Sequence, residues 1–362
     1  MACPAGGGAM TALARSRGGW RFADDLDAMF AALAPIWPRL AGKRIFMTGG
    51  TGFIGRWMLE ALRDADLRLG LGVEVVLLSR DPAGFAARVP HIAGHPGFRL
   101  MAGDVCDFAV PDGGFTHIVH AATDASAALN RRDPRRMFDT IVEGTRRALD
   151  MARDRAVERF LMLSSGAVYG AQPWDMTHVE EGWRGGPDCL DPMSAYGEGK
   201  RAAEMLCAIH ARQFGLDMVN ARIFALLGPL LSLDIHFAAG NFIRDALRGE
   251  TVVVEGAGTA VRSYLYAADL AIWLWTLLIR GESGATYNVG SEEAVSIAEL
   301  AHRVHRILGG AGVDILGQPD PGWNPGRYVP STARIARDLG LRATVDLDEA
   351  IRRTAIWNGW QQ

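Results

Sequence analysis

The length and charge of the chain limit what it can be. It has 362 residues, which suits one large α/β domain with a smaller second lobe. Its 38 basic and 41 acidic residues leave a net charge of -3, so no long-range field attracts nucleic acid or an anionic membrane. We therefore expect a small-molecule partner, no nucleic acid and no membrane.

The cysteines indicate a reducing compartment. The chain has four of them, far apart and without a Cys-x-x-Cys pair: Cys3, Cys106, Cys189 and Cys207. This spacing predicts neither a disulfide framework nor a zinc site. We expect reduced thiols, no metal and a cytoplasmic location.

The first part of the chain predicts a tail and then a helix. Residues 1–23 are taken as a disordered tail, which we favour over a transit peptide although the Gly/Ala-rich, acid-free start also occurs in such peptides. Apolar residues recur at helical spacing over 24–41, where Pro35 and Pro38 end the pattern, which predicts a leading helix. The longest apolar run, Leu270 to Ile279, is about half of what a membrane span needs and predicts a buried core helix.

From residue 42 onward short apolar runs alternate with helix-like stretches. This alternation predicts a Rossmann-type, doubly wound parallel sheet with a smaller, interleaved C-terminal substrate lobe. We assign residues 42–227 to the sheet domain, with 263–290 returning to it, and residues 228–262 and 291–362 to the second lobe. The predicted strands are 44–48, 73–78, 98–101, 117–120, 160–164, 217–223 and 286–289.

A glycine-rich turn follows the first predicted strand and opens a helix. In this setting glycines let backbone N–H groups approach a pyrophosphate, whereas an ordinary tight turn is the competing interpretation. The glycines at the relevant spacing are Gly49, Gly52 and Gly55, and the predicted cofactor contacts also include Thr51, Phe53 and Ile54.

The end of the second strand bears on the choice of cofactor. A carboxylate there would bind both ribose hydroxyls of NAD, but the chain has Ser79 and Arg80, which suit a 2′-phosphate. We predict NADP(H) as the preferred cofactor, with NAD(H) possible. The alternative is that Arg80 lies in solvent and Asp81 binds the ribose. After the third strand, Asp104 and Val105 are predicted to meet the adenine, although Asp104 could instead cap the next helix.

Three residues form a predicted catalytic group. Tyr196 and Lys200 lie four residues apart on one face of a helix, where the ammonium is expected to lower the phenol pKa and hold the nicotinamide ribose. Ser165 follows a strand and is expected to hydrogen-bond the substrate oxygen. A serine capping the strand end is the competing interpretation.

The strand 117–120 ends beside the expected nicotinamide site. Ala121, Ala122 and Thr123 are therefore predicted to contact the cofactor, and Thr123 also the substrate. His120 is expected to be a buried structural residue.

With these motifs the chain resembles the extended short-chain dehydrogenase/reductases, specifically the NAD-dependent epimerase/dehydratase family that acts on nucleotide sugars. The resemblance covers nearly the whole chain after Gly42. Its marks appear in order as GGTGFIG (49–55), HAAT (120–123), SSGAVYG (164–170), SAYGEGK (194–200), ARIFALLGP (221–229) and RSYLYAADL (262–270).

The resemblance also implies substrate contacts. It implies that Arg262 binds a diphosphate, that Arg327 contacts the nucleotide end and that Asn241 opens the nucleotide-binding helix. The acidic residues that dehydratases and decarboxylases carry after the hydroxyl residue are replaced by Gly166 and Ala167, which are predicted to line the substrate site. The family's usual asparagine after R-x-F is Ala225, which puts that phosphate contact in doubt.

The resemblance and these departures lead to a functional expectation. We expect a reductase that transfers hydride to the C4 carbonyl of a dTDP-4-keto-6-deoxyhexose, with Tyr196 as proton donor. The alternatives are a nucleotide-sugar 4-epimerase with tightly bound NAD, a 4,6-dehydratase or UDP-glucuronate decarboxylase, a carbonyl reductase of non-nucleotide substrates, and a non-catalytic cofactor-binding protein.

Family relatives dimerise through the helix that bears Tyr and Lys and the helix before 160, so we also expect a homodimer. The residues proposed to supply its apolar surface, for which an ordinary core position is the alternative interpretation, are Met137, Ile141, Leu149, Leu206, Ile209 and Phe214.

Overall fold

The computed structural model describes residues 19–123, 127–234, 238–320, 322 and 326–361. The first half of the chain contains six strands and eight α-helices. In chain order they are α1 (Phe22–Ala32), α2 (Trp37–Leu40), β1 (Arg44–Thr48), α3 (Phe53–Leu69), β2 (Glu74–Ser79), α4 (Pro82–Arg88), α5 (Pro90–Ala93), β3 (Phe98–Ala102), β4 (His117–His120), α6 (Ala127–Arg132), α7 (Pro134–Asp154), β5 (Arg159–Ser165), α8 (Ala195–Phe214) and β6 (Met218–Ile223).

The second half has shorter strands and more connecting loops. Its elements are β7 (Leu226–Leu227), α9 (Ala238–Leu247), β8 (Thr251–Val254), β9 (Val261–Arg262), β10 (Leu265–Tyr266), α10 (Ala267–Arg280), β11 (Thr286–Val289), β12 (Val295–Ser296), α11 (Ile297–Leu308), β13 (Gly312–Ile315), β14 (Arg327–Tyr328), α12 (Ala333–Leu339) and α13 (Leu347–Trp357).

A seven-stranded sheet in the order β11-β6-β5-β4-β1-β2-β3 forms the centre of the molecule. Every neighbouring pair in it is parallel. Because helices cover both faces, the inner strands are buried almost throughout, which is why they read as continuous apolar runs in the sequence. The predicted doubly wound Rossmann-type sheet is confirmed.

The most apolar helix, α10, is a core helix. Nearly all of its residues are buried, and it packs against α1, α3 and the β5 and β6 strands. This confirms the interpretation of the run from Leu270 to Ile279. Within the described ranges, no helix is both long and apolar enough to cross a membrane.

The N-terminal predictions need two corrections. The predicted tail 1–23 overlaps α1, which already begins at Phe22, because the Phe22 ring packs against Trp57 and Trp357 with ring centroids 5.1 Å apart in both cases. The rest of the predicted tail, residues 1–18, lies outside the described residues. The predicted single helix 24–41 is two helices, because the chain turns between Ala32 and Trp37.

A buried carboxylate fastens α1 to the rest of the molecule. Asp25 is 1% exposed and accepts hydrogen bonds from the Tyr266 hydroxyl and, at 2.7 Å, from the Arg353 guanidinium. Burial raises the pKa of Asp25, while its hydrogen bonds with Tyr266 and Arg353 oppose that rise. We call Asp25, Tyr266 and Arg353 the anchoring cluster, since it joins α1 to β10 and α13.

The remaining strands form small sheets beside the carboxyl end of the large one. They are a three-stranded sheet, β12-β9-β14, and the pairs β13-β8 and β10-β7. Their buried side chains continue into one apolar core that also contains residues of α3 and α10. The second lobe therefore shares its core with one face of the large sheet.

The helices α7 and α8 pack closely together, and this corrects part of the predicted dimer surface. Met137, Ile141 and Leu149 are at most 1% exposed and belong to the core between these helices and the sheet. By contrast, Ile209 and Phe214 on α8 are 38% and 48% exposed. Only the α8 side of the predicted surface is therefore accessible.

Candidate active site

The glycine-rich turn after β1 has the shape that a dinucleotide site needs. Gly49 has φ of +70°, and a Cβ on it would lie 2.5 Å from the carbonyl carbon of Ala121. A Cβ on Gly55 would lie 2.4 Å from the Cα of Gly50. Gly52 is exposed, and its nearest neighbour to a Cβ is 3.4 Å away, so its bare backbone is open to a ligand instead.

The start of α3 is also free for an anion. Gly52 precedes the helix, and no side chain caps it. The first N–H groups of a helix have no acceptor within the helix and carry its positive dipole end. Phe53 and Ile54 open this helix, and Thr51 lies half-buried in the turn before it. The turn therefore fits the pyrophosphate of a dinucleotide.

A buried relay of hydrogen bonds joins β1, β4 and α7 behind this turn. Burial lowers the pKa of His120 to about 3, so its ring is neutral. Thr145 donates to the Ile141 carbonyl at 2.7 Å and therefore accepts from His120 Nε2 at 3.1 Å. His120 Nδ1 then accepts from Thr48 Oγ1 at 3.0 Å. His120 is thus a structural residue, as expected.

The same relay fixes the chain that follows β4. Thr48 Oγ1 accepts hydrogen bonds from the Ala121 and Ala122 N–H groups at 3.2 and 3.1 Å. These residues therefore form a wall directly beside Gly49. Next to them, Thr123 Oγ1 is buried and has no hydrogen-bond partner among the described residues. A buried hydroxyl without a partner suits a ligand contact.

The carboxyl end of β2 carries the residues predicted to meet the adenosine ribose. Ser79 is buried and accepts from the Asp81 N–H at 3.2 Å, and Arg80 is exposed beside it. Asp81 accepts from the Gly84 N–H at 2.9 Å and so caps α4. One oxygen of Asp81 thus caps the helix, while the carboxylate is 64% exposed and keeps acceptor sites that a ribose hydroxyl could use.

Asp104 and Val105 lie after β3, as predicted, but with structural contacts of their own. Asp104 accepts from the Cys106 N–H at 2.9 Å and caps the turn at 105–107, so the alternative that it caps a helix is wrong. Val105 is buried against α7, where a Cβ on Gly144 would lie 2.9 Å from its Cγ1.

The structure brings Ser165, Tyr196 and Lys200 together at the carboxyl ends of β5 and the start of α8. Burial raises the pKa of Tyr196, and its hydrogen bond with Ser165 opposes that rise. The direction is the opposite of the lowering expected from Lys200, because burial dominates. The Lys200 Nζ itself donates to the Leu163 carbonyl at 2.8 Å. Asn130 holds the helix start, accepting from the Tyr196 N–H at 3.2 Å.

Lys200 is the most unusual ionisable group of the site. Its side chain is 2% exposed, and burial lowers its pKa to about 8, against the opposing charge of Glu204. The whole chain has only two lysines, Lys43 and Lys200, among its 38 basic residues. Arginine stays charged when it is buried, whereas lysine can lose its proton near neutral pH. The scarcity of lysine in the sequence is a further indication that Lys200 has a special role.

Gly166 is a glycine for a packing reason. A Cβ there would lie 2.6 Å from Cζ of Phe224 and 2.8 Å from the Tyr328 hydroxyl. Ala167 follows, with its N–H donating to Ser165 Oγ at 3.2 Å. The first of the two positions that carry acids in dehydratases is therefore filled by aromatic side chains, and the second carries only a methyl group.

Tyr328 is a residue of the site that sequence reasoning missed. Its hydroxyl is 3.4 Å from Ser165 Oγ and donates to the Ile223 carbonyl at 3.3 Å, and its ring centroid is 4.5 Å from that of Phe224. Burial raises its pKa. Its only signal in the sequence was its position directly after Arg327.

Arg262, expected at the diphosphate, and Arg327, expected at the nucleotide end, lie on neighbouring strands. Arg327 and Tyr328 of β14 pair with Val261 and Arg262 of β9. The Arg262 guanidinium donates to the carbonyls of Val261 and Gly326 at 2.8 and 3.2 Å. These strands carry Arg262 and Arg327 on the small sheet whose Tyr328 contacts Ser165.

Asn241 lies in the first turns of α9 and lines a cavity of about 800 Å³. Arg244 donates to its Oδ1 at 3.5 Å. The cavity is also lined by the end of β8, at Val253 and Val254, and by the loop 255–260, which leads directly into β9 and Arg262. The described residues contain no group of three or more His, Cys, Asp or Glu side chains placed to hold a metal ion.

Comparison with known proteins identifies related proteins over most of the chain. Two UDP-glucuronic acid decarboxylases are similar to this chain. The one from Arabidopsis thaliana is 31% identical, and the match covers 85% of this chain and 86% of the relative. The one from Xenopus tropicalis is 30% identical, and the match covers 86% of this chain and 71% of the relative. The solved dTDP-glucose 4,6-dehydratase of Streptomyces venezuelae, with NAD bound, is 26% identical with a TM-score of 0.75 over 87% of this chain and 96% of its own.

A second solved structure, the UDP-glucose 4-epimerase of Thermus thermophilus in complex with NAD, is 28% identical with a TM-score of 0.72, covering 87% of this chain and 99% of its own. The model of the NAD dependent epimerase/dehydratase family matches residues 45–290, which span β1 to β11 and include the glycine turn, Ser165, Tyr196 and Lys200. The chain belongs to the NAD dependent epimerase/dehydratase family.

Proposed function

We propose that the protein is a nucleotide-sugar oxidoreductase that reduces the C4 carbonyl of a 4-keto-6-deoxyhexose, with dTDP as the favoured nucleotide. The observation that carries this proposal is Gly166, where Phe224 and Tyr328 occupy the space that a side chain would need. Elimination of water requires an acid at this part of the site, whereas carbonyl reduction requires only a hydroxyl, a phenol and an ammonium.

The residues present fit a nicotinamide dinucleotide, whose chemistry is the supply of hydride to the carbonyl carbon. Gly52 and the uncapped start of α3 would hold the pyrophosphate, and Lys200 the nicotinamide ribose. Ser165 donates a hydrogen bond to the carbonyl oxygen and orients it. Tyr196 then gives its proton to that oxygen as the alkoxide forms, and its high pKa keeps it protonated for this step.

NADP(H) is proposed as the preferred cofactor. Ser79 and the exposed Arg80 are the groups that suit a 2′-phosphate, while Asp81 is engaged as the cap of α4. The measurement is KM for NADPH and for NADH with the same acceptor. A KM for NADH equal to or below that for NADPH would reject the preference.

The nucleotide is proposed to lie between α9 and β9. The cavity at Asn241 would take the base, with Arg262 at the diphosphate and Arg327 at the nucleotide end. Thermal-shift measurements with dTDP, UDP, CDP and GDP test this, with stabilisation expected from dTDP. Stabilisation by none of the four would favour a reductase of non-nucleotide substrates.

The reaction itself is tested by mixing the enzyme, NADPH and dTDP-4-keto-6-deoxyglucose. We expect consumption of the reduced cofactor in proportion to the deoxysugar formed. The Tyr196→Phe variant is the matched control, since it keeps the ring but lacks the proton. No consumption with any 4-keto nucleotide sugar would reject the reductase. Cofactor binding with no turnover in wild type and variant alike would instead favour a non-catalytic cofactor-binding protein.

Decarboxylation and epimerisation are the second candidates. The similar proteins from Arabidopsis and Xenopus are UDP-glucuronic acid decarboxylases, and a solved relative of similar fold is a UDP-glucose 4-epimerase. Offering UDP-glucuronate and measuring CO2, and offering UDP-glucose and measuring UDP-galactose, separates them from the reductase, because neither reaction consumes added NADPH. A homodimer through the exposed face of α8 and a cytoplasmic location stay predictions.

A further inference from the structure

A second buried carboxylate lies directly beneath the catalytic group. Glu204 is one turn after Lys200 on α8, and its side chain is 12% exposed. It accepts hydrogen bonds from Arg222 in a bidentate arrangement, at 2.9 Å from Nε and 2.6 Å from Nη2, and from the Ser164 hydroxyl at 2.5 Å. We call Glu204, Arg222 and Ser164 the supporting cluster.

The supporting cluster is held rigidly by the sheet. Ser164 on β5 and Arg222 on β6 are directly paired across the strands. The Arg222 guanidinium also lies over the Tyr169 ring, 4.6 Å from its centroid, and donates to the Glu181 carbonyl at 3.3 Å. Three hydrogen bonds, two from Arg222 and one from Ser164, therefore hold the Glu204 carboxylate in place. The helix that bears it also bears Lys200.

The ionisable groups on the elements packed around Lys200 include one carboxylate. On its own helix, the Glu204 carboxylate favours the ammonium, the Cys207 thiol is kept neutral by burial, which raises its pKa, and burial likewise raises the pKa of Tyr196. On β4, His120 is neutral. On β6, Arg222 is paired with Glu204. Glu204 is thus the group whose charge offsets the burial of Lys200.

We propose that Glu204 is a positioning residue that keeps the Lys200 ammonium protonated at neutral pH, so that Lys200 can hold the ribose and support the Tyr196 phenol. The carboxylate never touches the substrate and acts only through Lys200. Arg222 and Ser164 hold it at the required place. This inference rests on the proposed catalytic role of Lys200, but its central observable is the protonation of one side chain, which can be measured without substrate.

The test uses the fact that the chain has two lysines. Lysine labelled with ¹³C at Cε gives one signal for Lys43 and one for Lys200, assigned by a Lys43→Arg variant. The titration midpoint of Lys200 is expected near 8 in the wild type. In Glu204→Gln it is expected to fall by about one pH unit, since the opposing charge one helical turn away has been removed.

Asp217→Asn is the matched control. Asp217 also pairs with an arginine on these strands: Arg159 Nη1 donates to both of its carboxylate oxygens, at 2.7 and 2.6 Å. This pair is more exposed and lies at the opposite end of β5 and β6, away from Lys200. Its loss should reduce stability but leave the Lys200 midpoint unchanged. An unchanged or higher midpoint in Glu204→Gln, or an equal fall in Asp217→Asn, would overturn the inference.

Two further measurements keep the inference testable. If Glu204→Gln does not fold, Arg222→Gln is the second variant. It removes the arginine that pairs with Glu204, so the titration midpoint of Lys200 should rise. A fall in that midpoint, or no change, would contradict the inference. In the active enzyme, the alkaline limb of the kcat/KM profile should move to lower pH in Glu204→Gln, by the same amount as the midpoint. A shift of the midpoint without any reductase activity would support the inference and reject the proposed function.

Discussion

The anchoring cluster and the supporting cluster are built from the same parts. Each has a carboxylate at most 12% exposed, an arginine and a hydroxyl: Asp25 with Arg353 and Tyr266, and Glu204 with Arg222 and Ser164. They differ in their neighbour. Only the supporting cluster adjoins a lysine whose pKa burial has lowered to about 8. Similar ion pairs thus fasten a helix in one place and sustain a reactive group in the other.

Removing the phenol hydroxyl of Tyr196 should best separate the catalytic role proposed for one site from the stabilising role of the anchoring cluster. In Tyr196→Phe we expect kcat to fall about 10²- to 10⁴-fold, since a positioned proton donor is lost, with little change in thermal stability. Tyr266→Phe should do the reverse, lowering Tm while leaving kcat per folded molecule unchanged. Steady-state kinetics and calorimetry on both variants check this. Loss of turnover in Tyr266→Phe would show that the clusters are not separable.

Asp25→Asn tests the anchoring cluster alone. The change replaces one carboxylate oxygen by an NH2 group that faces a donor, either the Tyr266 hydroxyl or the Arg353 guanidinium, so we expect the free energy of unfolding to fall by about 3 kcal/mol. Urea unfolding measures it, with Asp24→Asn as the control, because Asp24 pairs with Arg21 at the surface. If Asp24→Asn lowers the free energy of unfolding by the same amount, the burial of the Asp25 carboxylate does not explain the effect.

Lys200→Met should have the opposite effect on stability. The lowered pKa of Lys200 means that the folded state carries an unfavourable charge at pH 7, a penalty that appears as pH falls from the ordinary value of 10.5 through about 8. Replacing it with an apolar side chain while Glu204 keeps Arg222 should raise the free energy of unfolding by about 1–3 kcal/mol and abolish turnover. A variant less stable than the wild type at pH 7 would contradict this account.

The smallest expected effect is a pH slope. Because the pKa of Asp25 is raised above 3.8, its contribution to stability is complete below that value and is lost as pH rises through the raised pKa. The unfolding free energy of the wild type, relative to that of Asp25→Asn, should therefore decrease as pH rises above 3.8. Urea unfolding of both proteins at several pH values measures this difference. A difference that does not vary with pH would refute the raised pKa of Asp25.

The sheet was predictable because buried parallel strands leave a local pattern. The predicted bounds 44–48, 117–120 and 286–289 coincide with those of β1, β4 and β11. The proposed catalytic residues could be picked out for a similar reason, since Ser165 follows a predicted strand and Tyr196 and Lys200 lie one helical turn apart. Neither inference needed to know which distant segment packs where.

What could not be predicted depends on contacts between distant segments. Tyr328 reaches Ser165 across 163 residues, and Arg353 reaches Asp25 across 328. The start of α1 was misplaced because it depends on Trp57 and Trp357. Likewise, the direction of the Tyr196 pKa depends on burial, which spacing along a helix does not reveal.

The relay through His120 has a consequence for the energetics of cofactor binding. Each proton in it has one acceptor, from the Ala122 amide through Thr48 and His120 to Thr145 and the Ile141 carbonyl. The wall beside Gly49 therefore has a single arrangement before any dinucleotide arrives. The conformational entropy of this loop is therefore lost during folding and not on cofactor binding. The affinity for the dinucleotide then depends on the contacts that it makes.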